Sequence, residues 1–171
     1  MPAKGKKILF VIAPKNFRDE ELFHPKEELE KAGAVCAIAS TKIGVCNGTL
    51  GGTADAKTLV EEANPADFDA VVFVGGSGSS VYFDDEDAHK LARKFAEQGK
   101  AVAAICIAPS TLANAGLLKG KKATAYPSEK DNLVSKGAKF TGKGVEADGK
   151  IVTADGPKSA RDFGKKIAAL L

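Results

Sequence analysis

Only two histidines, His24 and His89, occur in 171 residues. That scarcity limits every mechanism that needs an imidazole. Cysteine is almost as sparse. Cys36, Cys46 and Cys106 are an odd number without metal-ligand spacing, so neither a disulfide framework nor a zinc site is indicated. No apolar run approaches membrane-spanning length, and no charged-then-apolar leader precedes the first apolar segment. The expectation is a cytoplasmic protein without membrane contact. The formal charge of +3 is small. Lys119, Lys121 and Lys122 cluster without interleaved aromatics, which reads as a solvated face and leaves nucleic-acid binding unexpected. What is present is ordinary for a globular chain, with 44% apolar and 27% charged residues. A single domain with a sizeable core is expected over residues 1–171.

Residues 101–105 are a short apolar run with the length of a buried strand. Residues 109–115 have helix-forming spacing and stop at Gly116. Cys106 therefore falls where a strand turns sharply into a helix, between the small residues Ala104 and Ala108. A helix N-terminus there would direct free N–H groups at the sulfur and favour a thiolate. The spacing lacks the flanking glycines of a serine nucleophile elbow. Two readings stand on this stretch alone, an activated thiol or a buried structural cysteine.

The rest of the chain alternates. Residues 6–13 read as a central strand, apolar on both faces. A helix opens on Asp19, Glu20 and Glu21, acids suited to a first turn. Pro25 is placed early enough to be tolerated, and Gly33 ends the helix. Strands follow at 34–40 and 68–74, the second running into Gly75, Gly76, Ser77 and Gly78. Between them lies a glycine-rich excursion at 42–53, read as a hairpin or irregular segment, and a short helix at 58–63. Residues 84–98 form an amphipathic helix with Leu91 and Phe95 on one face. Beyond the Cys106 corner come a strand at 122–125, a helix at 128–135 capped by Ser128, and strands at 140–146 and 151–154 turning at Asp148 and Gly149. A closing helix spans 159–171. This alternation implies an α/β fold with a mostly parallel sheet covered on both faces by right-handed crossovers. Function in such sheets gathers at the carboxyl ends of strands, where the Glu21 loop, the Gly75–Gly76 loop and Cys106 all fall. A dinucleotide fingerprint needs its glycines after the first strand, so no nucleotide is expected at residues 75–78.

Together, Asp19-Glu20-Glu21-Leu22 with Pro25, Gly75-Gly76, Ala104-Ile105-Cys106, the Ala-Gly-Leu-Leu-Lys-Gly run at 115–120, and Asp148 to Thr153 with Gly156-Pro157 resemble the ThiJ/PfpI superfamily. The resemblance covers nearly the whole chain. It implies a flavodoxin-like three-layer sandwich related to class I glutamine amidotransferase domains, and a homodimer or an assembly of dimers. It implies that Cys106 is the elbow nucleophile and Glu21 the protonated acid beside its sulfur. On that basis Glu21 is expected to have a raised pKa and Cys106 a lowered one. Gly75, Gly76 and Ile107 match the loop positions around an oxyanion-type pocket, with Gly76 and Ile107 supplying the N–H groups.

The sequence also departs from the family. Many relatives described as intracellular proteases carry histidine directly after the cysteine, where Ile107 stands here. Many deglycase-type relatives have histidine where Tyr126 stands and arginine where Asp155 stands. His24 lies one helical turn after Glu21, so it could reach the site or sit on the surface or at an interface. Tyr126 either contacts the pocket or fills the family histidine's space. Glu20 reads as a solvated acid, Cys36 as core and Cys46 as an exposed loop residue. Three functions follow from the resemblance: an enzyme acting on reactive carbonyls without glutathione, metal or other cofactor, a peptidase or amidase, or a non-catalytic redox sensor in a stress response.

Overall fold

The structure is a computed structural model that describes residues 1–171. Its strands are β1 (Lys7–Val11), β2 (Lys15–Phe17), β3 (Val35–Ser40), β4 (Gly44–Gly48), β5 (Thr53–Ala56), β6 (Thr58–Leu59), β7 (Ala70–Phe73), β8 (Ala101–Ile105), β9 (Lys122–Ala123), β10 (Lys139–Phe140), β11 (Val145–Asp148) and β12 (Ile151–Ala154). The α-helices are α1 (Asp19–Lys31), α2 (Glu86–Glu97), α3 (Pro109–Asn114), α4 (Lys130–Ser135) and α5 (Ala160–Ala169). No helix is long and apolar enough to cross a membrane.

Seven strands form the central sheet in the order β11-β12-β8-β7-β1-β3-β6, and only β11 runs antiparallel to its neighbour. Its five principal parallel strands, β3-β1-β7-β8-β12, have the flavodoxin-like order. The order reverses between β1 and β7, so a crevice opens there at the carboxyl ends of the strands.

The pleat divides β1 between two cores. Ile8 and Phe10 point to one face, where they join Leu22 and Leu29 of α1 and Phe163 and Ile167 of α5. Leu9 and Val11 point to the other, with Leu91 and Phe95 of α2 and Leu112 of α3. Each such fully buried side chain contributes about 1.5–3 kcal/mol by leaving water. Helix α5 approaches α1 closely at Gly164, where a Cβ would lie 2.7 Å from Pro25 Cα.

The glycine-rich excursion leaves the main sheet, as expected, and forms a separate sheet in the order β2-β4-β5. Cys46 is buried there, contrary to the exposed position expected for it, because it is the inward residue of β4. Pro25 lies in the interior of α1 rather than near its start. Lacking an N–H, it leaves the Glu21 carbonyl without its helical donor. The expected helix at 58–63 is instead β6 followed by a 3-10 turn at Val60–Glu62. The expected strand at 140–146 is two strands with different partners, β10 on β9 and β11 on β12. Ser128 does not cap a helix, since its hydroxyl donates to Glu129 Oε2 at 2.7 Å.

Candidate active site

Cys106 follows directly on β8 and adopts φ +66°. That left-handed conformation is strained for a residue with a Cβ and persists only where its surroundings impose it. Two backbone hydrogen bonds do so. The Cys106 N–H donates to the Ala154 carbonyl at 2.9 Å, and the Tyr126 N–H donates to the Cys106 carbonyl at 2.8 Å. Pro109 then opens α3, and Ala108 is buried tightly enough to let the chain turn. The strand-to-helix corner read from the sequence is therefore present.

Glu21 reaches the same corner from the first turn of α1. It is fully buried, and neither carboxylate oxygen has a hydrogen-bond partner. The Cys106 thiol perturbs its titration and is perturbed by it, although the pair falls outside hydrogen-bond geometry in this state. Burial pushes the Glu21 carboxyl up to about 8, against a smaller downward pull from the thiol and from Arg18. Glu21 is thus mostly protonated at neutral pH, as expected.

The expected lowering of the Cys106 pKa is not what the geometry gives. Burial pushes the thiol up to about 12, and the negative charge of an ionised Glu21 adds to the rise. The backbone N–H groups of Gly76 and Ile107 pull in the other direction but are outweighed. Helix α3 has only six residues, too short a dipole to offset the loss of water around the sulfur. The two groups titrate as a unit, because ionising either one opposes ionising the other.

Gly75 closes the back of the corner. A Cβ there would lie 2.6 Å from both Cys106 Cβ and the Ile105 carbonyl and would also collide with Glu21 Oε1. Gly76, at φ +99°, turns the chain so that its N–H faces the sulfur. Tyr126, 48% exposed, lines the same space.

These groups border an open cavity of about 370 Å³ lined by Arg18, Glu21, Gly76, Cys106, Ile107 and Tyr126, with Thr49, Ser77, Ser128 and Pro157 at its edges. A second concavity of about 510 Å³ shares Arg18, Tyr126 and Pro157 and adds Glu20, Asp155 and Lys158. Asp155 therefore belongs to the outer space. Its Oδ1 accepts a hydrogen bond from Ser159 Oγ at 2.6 Å. His24 lines neither space, and its charge bears on Glu20. His89 packs elsewhere, with Nε2 2.7 Å from the Phe83 carbonyl. Cys36 is half-buried on β3, where burial pushes its thiol up to about 12.

Sequence reasoning missed Arg18, Thr49 and Asp19. Asp19 is buried, and its two oxygens accept the N–H groups of Leu50 at 2.8 Å and Gly52 at 2.7 Å. It fastens the loop after β4, which carries Thr49 to the cavity edge. The signal for Asp19 was the small-residue content of that loop. Added Cβ atoms at Gly48 and Gly52 would meet the Asp19 carboxyl at 2.5–2.6 Å.

The DJ-1/PfpI family model matches residues 6–170. Deglycase PfpI from Pyrococcus furiosus is 38% identical over 134 residues, covering 78% of this chain and 80% of that protein. Putative cysteine protease YraA from Bacillus subtilis is 31% identical over 135 residues, covering 78% of this chain and 80% of that protein. The crystal structure of a ThiJ/PfpI domain protein from Brachyspira murdochii superposes with a TM-score of 0.95 at 36% identity, covering 98% of this chain and 96% of that one.

Proposed function

Because the chain belongs to the DJ-1/PfpI family, we propose that it is a cysteine-dependent enzyme acting on reactive carbonyls, of the glutathione-independent glyoxalase or deglycase type. The observation that carries this reading is Glu21, an acid buried without a partner beside the Cys106 thiol and poised to titrate at about 8. A carboxyl with both oxygens free and a pKa near working pH can give a proton and take one back.

With methylglyoxal the chemistry runs from the pair after it has lost one proton. The Glu21 carboxylate takes the thiol proton as the Cys106 sulfur adds to the aldehyde carbon, and it passes that proton to the carbonyl oxygen to give a hemithioacetal. The Gly76 and Ile107 amides stabilise the charge that develops on oxygen. The Glu21 carboxylate then removes the hydrogen from the former aldehyde carbon. Within the resulting enediolate a proton passes from one oxygen to the other, and Glu21 returns its proton to the neighbouring carbon. The product is a thioester of a 2-hydroxy acid. Water, deprotonated by Glu21, attacks that thioester, and the Cys106 thiolate leaves. Lactate is released and the starting protonation state is restored.

The name of the YraA relative favours peptide hydrolysis as a second reading. Expelling an amine requires an acid to protonate it, commonly histidine. Neither histidine of this chain lines the Cys106 cavity, which ranks this reading below the first. The experiment is lactate formation from methylglyoxal without glutathione. Turnover by wild type that disappears in Cys106→Ala and Glu21→Gln is the expected result. Turnover that survives Cys106→Ala overturns the mechanism.

A further inference from the structure

We propose that Arg18 is a carboxylate-binding residue at the mouth of the Cys106 cavity, and that the site favours small carbonyl compounds carrying an acid group. The inference rests on the carbonyl reading above for its substrate class. The anion-binding role itself is tested independently of turnover.

Arg18 stands on the wall common to the inner cavity with Cys106 and the outer concavity with Lys158. A ligand spanning the two spaces lies against Arg18. The backbone of Arg18 is fixed to the catalytic loop, its N–H donating to the Gly75 carbonyl at 2.9 Å. A Cβ on Gly76 would strike that same Arg18 nitrogen, so the two segments are in close contact.

The side chain is held as well. Nε donates to Glu20 Oε1 at 2.8 Å and Nη2 to Glu20 Oε2 at 3.1 Å, a two-point grip that fixes the plane of the guanidinium. Nη1 has no partner within the protein, so the outer edge of the group remains free to donate. The guanidinium side chain is 37% exposed. An ion pair that wet contributes little to stability, and its arrangement is better accounted for by presenting the free edge to a ligand. A planar guanidinium suits a carboxylate, which can accept two parallel N–H bonds.

The mouth carries charges of both signs. Glu20 is occupied by Arg18, Asp155 accepts the Ser159 hydroxyl, and Glu21 is mostly neutral at pH 7. Lys158 adds a second cation to the outer concavity and has no salt-bridge partner. The Arg18 charge is near enough to the reacting pair to lower the Glu21 pKa. An anion bound there would sit beside the sulfur rather than at a remote surface.

The test uses two alkylating agents of nearly equal size, iodoacetate and iodoacetamide. In both cases the Cys106 sulfur bonds to the CH2 carbon, iodide leaves with the bonding electron pair, and the thiol proton passes to buffer. The ratio of the two rates, read at Cys106 by mass spectrometry, isolates the effect of the carboxylate. Wild type, Arg18→Met and Arg18→Lys are compared, with glyoxylate protection against iodoacetamide measured in parallel. The iodoacetate-to-iodoacetamide ratio is expected to fall about tenfold in Arg18→Met and to recover in part in Arg18→Lys, which keeps the charge but not the two parallel donors. Glyoxylate protection should weaken in Arg18→Met in step. An unchanged ratio in Arg18→Met overturns the proposal, as does a fall that Arg18→Lys does not restore even in part. If wild type fails to turn over methylglyoxal, the carbonyl reading falls while the alkylation ratio still decides the role of Arg18.

Discussion

Asp19 and Glu21 stand two residues apart on α1 and are both buried, yet only Asp19 has hydrogen-bond partners. One acid is consumed in holding the loop after β4. The other is left with two bare oxygens against a thiol. The division of labour between structure and chemistry in this helix turn follows from that difference.

Glu21→Gln should change how stability depends on pH. The folded-state pKa of Glu21 is raised to about 8 from an ordinary 4.5. Below about 4.5 the group is protonated in both folded and unfolded chains and has no effect. Between about 4.5 and 8 the unfolded chain binds fewer protons, so stability falls by up to about 1.4 kcal/mol per pH unit from this group alone. Above about 8 the loss levels off. Melting curves of wild type and Glu21→Gln from pH 4 to 9 should therefore diverge with rising pH, the variant gaining on wild type. Parallel curves would remove the buried protonated acid.

Cys106 should not behave as a low-pKa thiol. Its alkylation by iodoacetamide is expected to keep rising with pH beyond about 8, since burial and an ionised Glu21 both hold its proton. Above that pH Glu21→Gln should alkylate faster than wild type, because the opposing charge is gone. A rate plateau already reached at pH 6 would contradict this geometry.

Gly75→Ala tests the closeness of the corner. The new methyl would sit 2.6 Å from Cys106 Cβ and from the Ile105 carbonyl. Backbone and side chain must shift to admit it, at about 1–3 kcal/mol. A melting temperature lowered by several degrees and loss of methylglyoxal turnover are expected. A variant with wild-type stability and activity would show that the corner has room the structure denies it.

Asp19→Asn replaces one acceptor oxygen with an NH2 group facing a backbone N–H. The Leu50 or Gly52 amide then loses its partner, at about 1–3 kcal/mol. Hydrogen exchange of the backbone at residues 48–52 should quicken. Because Thr49 edges the cavity, KM should rise more than kcat falls. Unchanged exchange in that loop would show that Asp19 does not hold it.

The elbow was legible because it is local: an apolar run of strand length, then Pro109 in a helix-forming stretch, with small residues at the bend. The alternation of strands and helices likewise carried the sheet and its two covering layers. Glu21 was reached only through the family pattern, since nothing in its own sequence distinguishes it from Asp19 or Glu20. The burial of Cys46 depends on which face of β4 turns inward, and that is set by pairing with β2 and β5 rather than by nearby residues. Arg18 and Thr49 meet Cys106 from separate loops, a convergence no periodicity records. The misjudged thiol has a single physical origin. The helix N-terminus beside Cys106 is visible in sequence, whereas the loss of water around its sulfur comes from elements far along the chain.

The hydrogen bond from Cys106 to the Ala154 carbonyl has a consequence for how the protein is made. During synthesis Cys106 is added before either Tyr126 or Ala154, the residues that bond its carbonyl and its N–H. Until β12 docks alongside β8, one of the two bonds that impose the left-handed bend on Cys106 is missing, and only the Tyr126 N–H remains to hold it. The nucleophile is therefore completed by one of the last strands to arrive. A chain ending before β12 lacks the Ala154 carbonyl, so the corner is complete only once the sheet has closed.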